Sequence, residues 1–139
     1  MPDAVNLQRF VDAQASVYAR VLSELRSGSK QSHWMWFVFP QIAGLGHSAM
    51  AKKYAISSSE EAAAYLNHHV LGPRLRECTS LVNAIEGRSI EDIFGYPDDL
   101  KFRSSMTLFV RATQDNREFE DALQKYFQGE PDSATVALL

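Results

Sequence analysis

Apolar residues recur at Leu7, Phe10, Val11, Val17, Tyr18, Val21, Leu22 and Leu25, the spacing of a single helical stripe. With Asn6 as the N-cap and Gly28 as the stop, this pattern predicts a helix over 6–26. The polar stretch SGSKQ then gives way to HWMWFVFP, which is apolar on both sides of either period and must be enclosed by protein. One or two helical turns and a short buried strand both fit; Ser32 as a cap and Pro40 as a terminator favour the helix. QIAGLGHS reads as a loop, and Ser48 is placed to cap a short helix from Ala49 to Ala55. Ser57 with Glu60 and Ser58 with Glu61 offer capping boxes for an alanine-rich helix of about ten residues. Leu71, Leu75, Cys78, Val82 and Ile85 form the next apolar face, starting near His69 or Pro73 and stopped by Gly87. Ser89 with Asp92 repeats the capping box before IEDIF, and Gly95 to Pro97 turn the chain. In DDLKFRSSMTLFVRAT the apolar positions suit a helix or a strand, and we read it as a helix. Asp115 with Glu118 opens a helix carrying Phe119, Leu123, Tyr126 and Phe127, ended by Gly129 and Pro131. The tail DSATVALL adds a last turn. With no repeat or linker between these pieces, the expectation is an all-α, single compact multihelical domain of about six to eight helices over 1–139.

Composition agrees with an ordered globule: 139 residues allow one domain, and 45% hydrophobic against 22% charged residues can build a core. The single Cys78 cannot form an internal bridge and fits a reducing compartment, so a cytoplasmic location is expected. Fourteen Lys and Arg against seventeen Asp and Glu give a net charge of -3, which argues against nucleic acid as a partner. MPDAVNLQRF lacks a basic segment followed by an apolar one, so no signal peptide is expected. The longest dense apolar run, Trp34 to Phe39, is far below the ~20 residues of a membrane helix.

Candidate chemistry lies in three places. The first is the block from His33 to His47, where Trp34, Trp36 and Gln41 combine aromatic walls with polar groups, as small-ligand pockets do. The same aromatics also suit a plain core. His33 and His47 are the candidates for moving a proton. Gln14 sits mid-stripe, where its amide meets either a neighbouring backbone or a ligand. The second place is Arg74, whose guanidinium belongs to an apolar stripe and needs an anion or several carbonyls, its partner being an internal carboxylate such as Asp98 or Asp99 or a bound ligand. The third is Lys101, Arg103, Ser104, Ser105 and Thr107, a mix of cations and hydroxyls that suits a phosphate or carboxylate, or else a solvated face with small serines. GLGHSA matches the G-x-G-x-x-A phosphate fingerprint in letters, but the strand and long helix that give that motif its meaning are missing. There is no HExxH or CxxC spacing, so no metal site is expected, and no cofactor can be read. Cys78 on its apolar stripe reads as an inert core thiol.

SHWMWFVFPQIAGLG, YLNHHVLGPRLREC and DDLKFRSSMTLF resemble the domain-of-unknown-function family 1810, sometimes labelled calpastatin-like. Asp12 to Gln14, Ser32 to Gln41 and Lys101 to Thr107 match its pattern. The resemblance implies a compact multihelical domain, mostly bacterial, with no established activity, cofactor or catalytic residue. The reading is therefore a helical domain with a pocket for a small anionic metabolite such as a nucleotide or sugar phosphate, with enzyme activity left open. Trp34 and Trp36 would supply the wall, Gln14 and Gln41 the orienting amides, His33 or His47 a proton, and Arg74, Lys101, Arg103 and Ser105 the anion clamp. The alternative is a non-enzymatic interaction module, docking a protein partner or a second copy in a homo-oligomer.

Overall fold

The computed structural model describes residues 6–139. Ten helices follow one another: α1 (Gln8–Ala15), α2 (Tyr18–Arg26), α3 (Met35–Val38), α4 (Ala49–Lys53), α5 (Ser59–Asn67), α6 (Leu71–Ala84), α7 (Ile90–Phe94), α8 (Asp98–Ala112), α9 (Arg117–Phe127) and α10 (Ser133–Leu138). The only sheet-like pairing among the described residues is an isolated parallel bridge between Ile42 and Ile56. Ten exceeds the expected six to eight because the first stripe is two helices and short helices fill the connections.

The helix expected over 6–26 breaks at Ser16 and Val17, where the Val17 N–H bonds three residues back to Gln14 O at 3.1 Å. The break lets one stripe serve two partners. α1 packs on α3 and α2 on α6; Phe10 of α1 meets Tyr65 of α5 edge-on at 5.1 Å, and Val21 and Leu25 of α2 are fully buried. α8 is the central rod, with α5, α7, α9 and α10 against it. It is enclosed nearly all round, which explains why its apolar period was ambiguous: Phe102, Met106, Leu108 and Phe109 are buried on several faces. Ser104 and Thr107 turn their hydroxyls onto Leu100 O and Arg103 O, which lets these two small polar residues fit between helices with their oxygens bonded.

Capping signals in the chain carry over well. Ser48, Ser58, Ser89 and Asp132 each accept a backbone N–H at the start of their helix, and Ser89 with Asp92 forms the full capping box. Ser32 does not cap α3, because its hydroxyl goes to Glu24 instead. Asp115 does not cap α9 either; Asn116 occupies that position. No helix among the described residues is long and apolar enough to cross a membrane.

Candidate functional site

The segment 41–48 forms one wall of an open groove. It is pinned at its base by Ile56 N–H to Gln41 O (2.9 Å) and Ala43 N–H to Ile56 O (2.8 Å). Gly44 takes φ +104°, a left-handed backbone that favours glycine, and a Cβ there would lie 3.3 Å from Leu138. Gly46 lies so close to α4 that its Cβ would fall 2.6 Å from that of Ala51. The facing wall is the start of α8, where Pro97, Leu100, Lys101 and Ser104 share one helical face, and α10 closes the end with Ala134. The groove holds about 360 Å³, and a narrower compartment of about 130 Å³ shares Trp36, Gln41, Gly46 and Ala51 with it.

Charge in the groove is concentrated at Lys101. Its ammonium lies 5.2 Å from the Trp36 ring centroid and 3.2 Å from Asp98 Oδ1. Asp98 Oδ2 is 2.9 Å from Lys30 Nζ, so one carboxylate is shared by two ammonium groups. Asp132 Oδ2 accepts from Ser104 Oγ, Thr135 N and Thr135 Oγ1 and is thereby held as part of the α10 cap. Gln41 lines both compartments with a side-chain amide that has no protein partner among the described residues, and His47 stands exposed on the rim.

Of the residues singled out in the sequence, Trp36, Gln41, His47, Lys101 and Ser104 border this groove, and the others go elsewhere. Trp34 is 1% exposed; it packs against Phe39 and Phe94, and its indole N–H donates to Glu24 Oε1 at 2.9 Å, so it belongs to the core rather than to a pocket wall. Gln14, 2% exposed, donates to Phe37 O (2.7 Å) and Tyr65 Oη (3.1 Å), which makes it a core amide. Arg74 finds neither Asp98 nor Asp99. Its guanidinium lies 4.6 Å over the Tyr18 ring and donates to Gln14 Oε1 at 3.3 Å, while Asp98 is occupied by the two lysines. Arg103 turns to Glu130 and Phe127. Ser105 is fully buried in α8 with its hydroxyl unpartnered, and His33 is exposed away from the groove. Burial pushes the Cys78 thiol up to about 12, against a hydrogen bond with Tyr18 that pulls it down, so this cysteine is no nucleophile near neutral pH.

Sequence reasoning missed Leu45, Ser48, Pro97 and Leu100 as groove residues. The i, i+3 and i+4 steps from Pro97 to Leu100, Lys101 and Ser104 would have placed them beside Lys101 once the helix over 98–112 was fixed. Among the described residues no group of three His, Cys, Asp or Glu side chains could hold a metal ion.

The chain is similar to a solved structure, the crystal structure of the conserved hypothetical protein Rv1873 from Mycobacterium tuberculosis, at 63% identity and a TM-score of 0.97, covering 99% of this chain and 98% of that one. No curated protein matches it. The family model described as "Protein of unknown function (DUF1810)" matches residues 4–139, and with the whole helical body inside that match, the chain belongs to the DUF1810 family.

Proposed function

We propose that this domain binds a small anionic metabolite in the groove between the 41–48 segment, α8 and α10. The observation that carries the reading is Lys101: a cation held 5.2 Å from the half-buried Trp36 ring, in the same groove as the unpartnered Gln41 amide. A flat wall, one cation and one free amide are the parts needed to seat and orient a charged small molecule. His47 is the imidazole on the groove lining and the candidate to carry an acid–base step there. The buried, unpaired Cys78 fits a reducing compartment such as the cytoplasm.

Titration of the full chain with nucleotides and sugar phosphates tests this through Trp36 fluorescence. Binding should quench the emission, and Lys101→Ala should abolish the effect, while Arg103→Ala, which alters a contact with Glu130 outside the groove, should leave it intact. No response to any member of a broad anionic panel would end the reading.

A second reading, an interaction module or self-associating chain, draws on Tyr96, Leu100, Leu138 and Leu139, the large apolar side chains left most exposed, from 41% to 73%. Sedimentation velocity across a range of concentrations, with a pull-down, addresses it. A strictly monomeric profile with no captured partner would dispose of it.

A further inference from the structure

The charge balance and the walls of the groove narrow what it would hold. Lys101 and Lys30 share Asp98, so this trio carries one net positive charge, and Lys30 is too enclosed to reach a ligand, with its side chain 8% exposed. Asp132, the carboxylate on the groove lining, brings a negative charge to the far end, fixed in place by its cap bonds, and Lys52 on the lining of the narrower compartment offsets it. No arginine lines either compartment, so the bidentate fork that recognises phosphate is missing. The remaining walls are largely apolar: Trp36, Leu45, Pro97, Leu100 and Ala134. A phosphate dianion, and still more a polyphosphate, would bring two or more charges to a place where Lys30, Lys101 and Lys52 against Asp98 and Asp132 leave one net positive charge. A sugar would set hydroxyl groups against hydrocarbon.

From this balance we infer that the occupant is an amphipathic monoanion: a single carboxylate on a flat apolar body, with the carboxylate at Lys101 and Gln41 and the body along Trp36, Leu45 and Leu100. This rests on the groove being the ligand site, and it departs from the nucleotide or sugar phosphate that the cation-and-hydroxyl cluster in the sequence suggested. The open compartment of about 360 Å³ suits a one- or two-ring acid, and the narrower one beyond Gln41 takes a substituent rather than a second ring.

The test uses the full chain near neutral pH and four probe types: naphthoate, the uncharged naphthalenemethanol, AMP and glucose 6-phosphate, followed by Trp36 fluorescence and by amide NMR shifts. Naphthoate should bind at least about ten-fold more tightly than each of the others. Lys101→Gln should weaken it by about ten-fold, and Leu100→Asn, a change at an exposed rim residue that leaves the fold intact, by several-fold, with Trp36→Phe removing the quench. AMP or glucose 6-phosphate binding as tightly as naphthoate, with the same dependence on Lys101, overturns the ligand class while leaving the groove as the site. Equal binding of naphthoate and its alcohol overturns the role of the carboxylate. Naphthoate binding untouched by both groove variants places the ligand elsewhere and overturns the inference. Failure of every probe removes the groove reading itself, and this inference with it.

Discussion

Glu24 should be the most costly polar residue to remove. It is 8% exposed, and its carboxylate gathers four donors from the segment that leads into α3: Gln31 N at 2.7 Å, Ser32 N at 3.0 Å and Trp34 Nε1 at 2.9 Å on Oε1, with Ser32 Oγ at 2.6 Å on Oε2. Burial works to raise its pKa, but the bonds from Ser32, Gln31 and Trp34 outweigh it and hold the carboxyl below its ordinary value of 4.5. Glu24→Ala leaves two backbone N–H groups, a hydroxyl and an indole N–H without their acceptor. At about 1 kcal/mol or somewhat more for each bond, partly offset by no longer burying a charge, the loss should be about 3–5 kcal/mol. That is a large share of a domain stability of about 5–15 kcal/mol, and with a urea slope of about 1–3 kcal/mol/M it should lower the unfolding midpoint by about 2 M. Glu24→Gln keeps one acceptor oxygen and should cost only about 1–2 kcal/mol. Because the folded pKa is lowered, Glu24 contributes stability that is present above pH 4.5 and lost as pH falls through the folded value, so Glu24→Gln should flatten the acid limb of stability against pH. Urea unfolding followed by far-UV circular dichroism and by emission of the buried Trp34 measures both effects. A loss under about 1 kcal/mol in Glu24→Ala, or an unchanged acid limb in Glu24→Gln, would refute the account of this carboxylate as the tie between α2 and α3.

Gly72→Ala should destabilise by at least about 1–3 kcal/mol, because a Cβ there would fall inside the contact distance of the Leu66 carbonyl, and backbone cannot swing aside as a side chain can; a neutral result in urea unfolding would contradict this packing. His68 Nδ1 accepts the N–H groups of Val70 (3.1 Å) and Leu71 (3.3 Å) at the start of α6, and burial with the neighbouring His69 lowers its pKa from 6.5, so stability should fall as pH drops through 6.5 toward the lower folded value. Titration of the His68 imidazole by NMR should give a value below 6.5, and one at or above 6.5 would refute it. Asp98→Asn should cost about 2–4 kcal/mol by leaving the enclosed Lys30 without a counter-ion, and the same change should tighten binding of an anionic probe by freeing Lys101. A variant that binds the probe more weakly would break that link.

The elements legible in the sequence were those whose signal is local. Ser48, Ser58 and Ser89 announced helix starts because a cap depends on residues three apart. The apolar block from Trp34 to Phe39 showed that it had to be enclosed, and it is, apart from Trp36. Nothing local separates Trp34 from Trp36. Glu24 decides it, by drawing the Trp34 indole inward from ten residues away. The break at Ser16 and Val17 was hidden for the same reason, since the apolar stripe runs on unbroken and only the different partners of α1 and α2 require the chain to bend. Arg74 misled because Asp98 or Asp99 was the partner expected for it, whereas the Tyr18 ring and the Gln14 oxygen satisfy the guanidinium without a carboxylate. In α8, Lys101 and Arg103 are two residues apart and so point to different sides of a helix, one to the groove and one to Glu130.

Helical spacing also explains why the groove lies where it does. Four helices, α5, α7, α9 and α10, pack on α8, yet on the groove side its first turn faces the short α10, the 41–48 segment and Trp36, which leave Pro97 and Leu100 exposed and Lys101 partly so. A glycine at 44 lets Leu138 settle on that segment, and a glycine at 46 lets the segment lie against α4, so the wall is drawn back from α8 rather than collapsed onto it. The gap is therefore built from the same contacts that fix α10 and α4. Its charge is likewise not free to vary, because Asp98 sets the position of Lys101 while neutralising Lys30 under the Trp34 ring. Freeing more of the charge on Lys101 means giving up the ion pair with Asp98 that also serves Lys30, a cost that favours the weakly charged, largely apolar guest proposed for this groove.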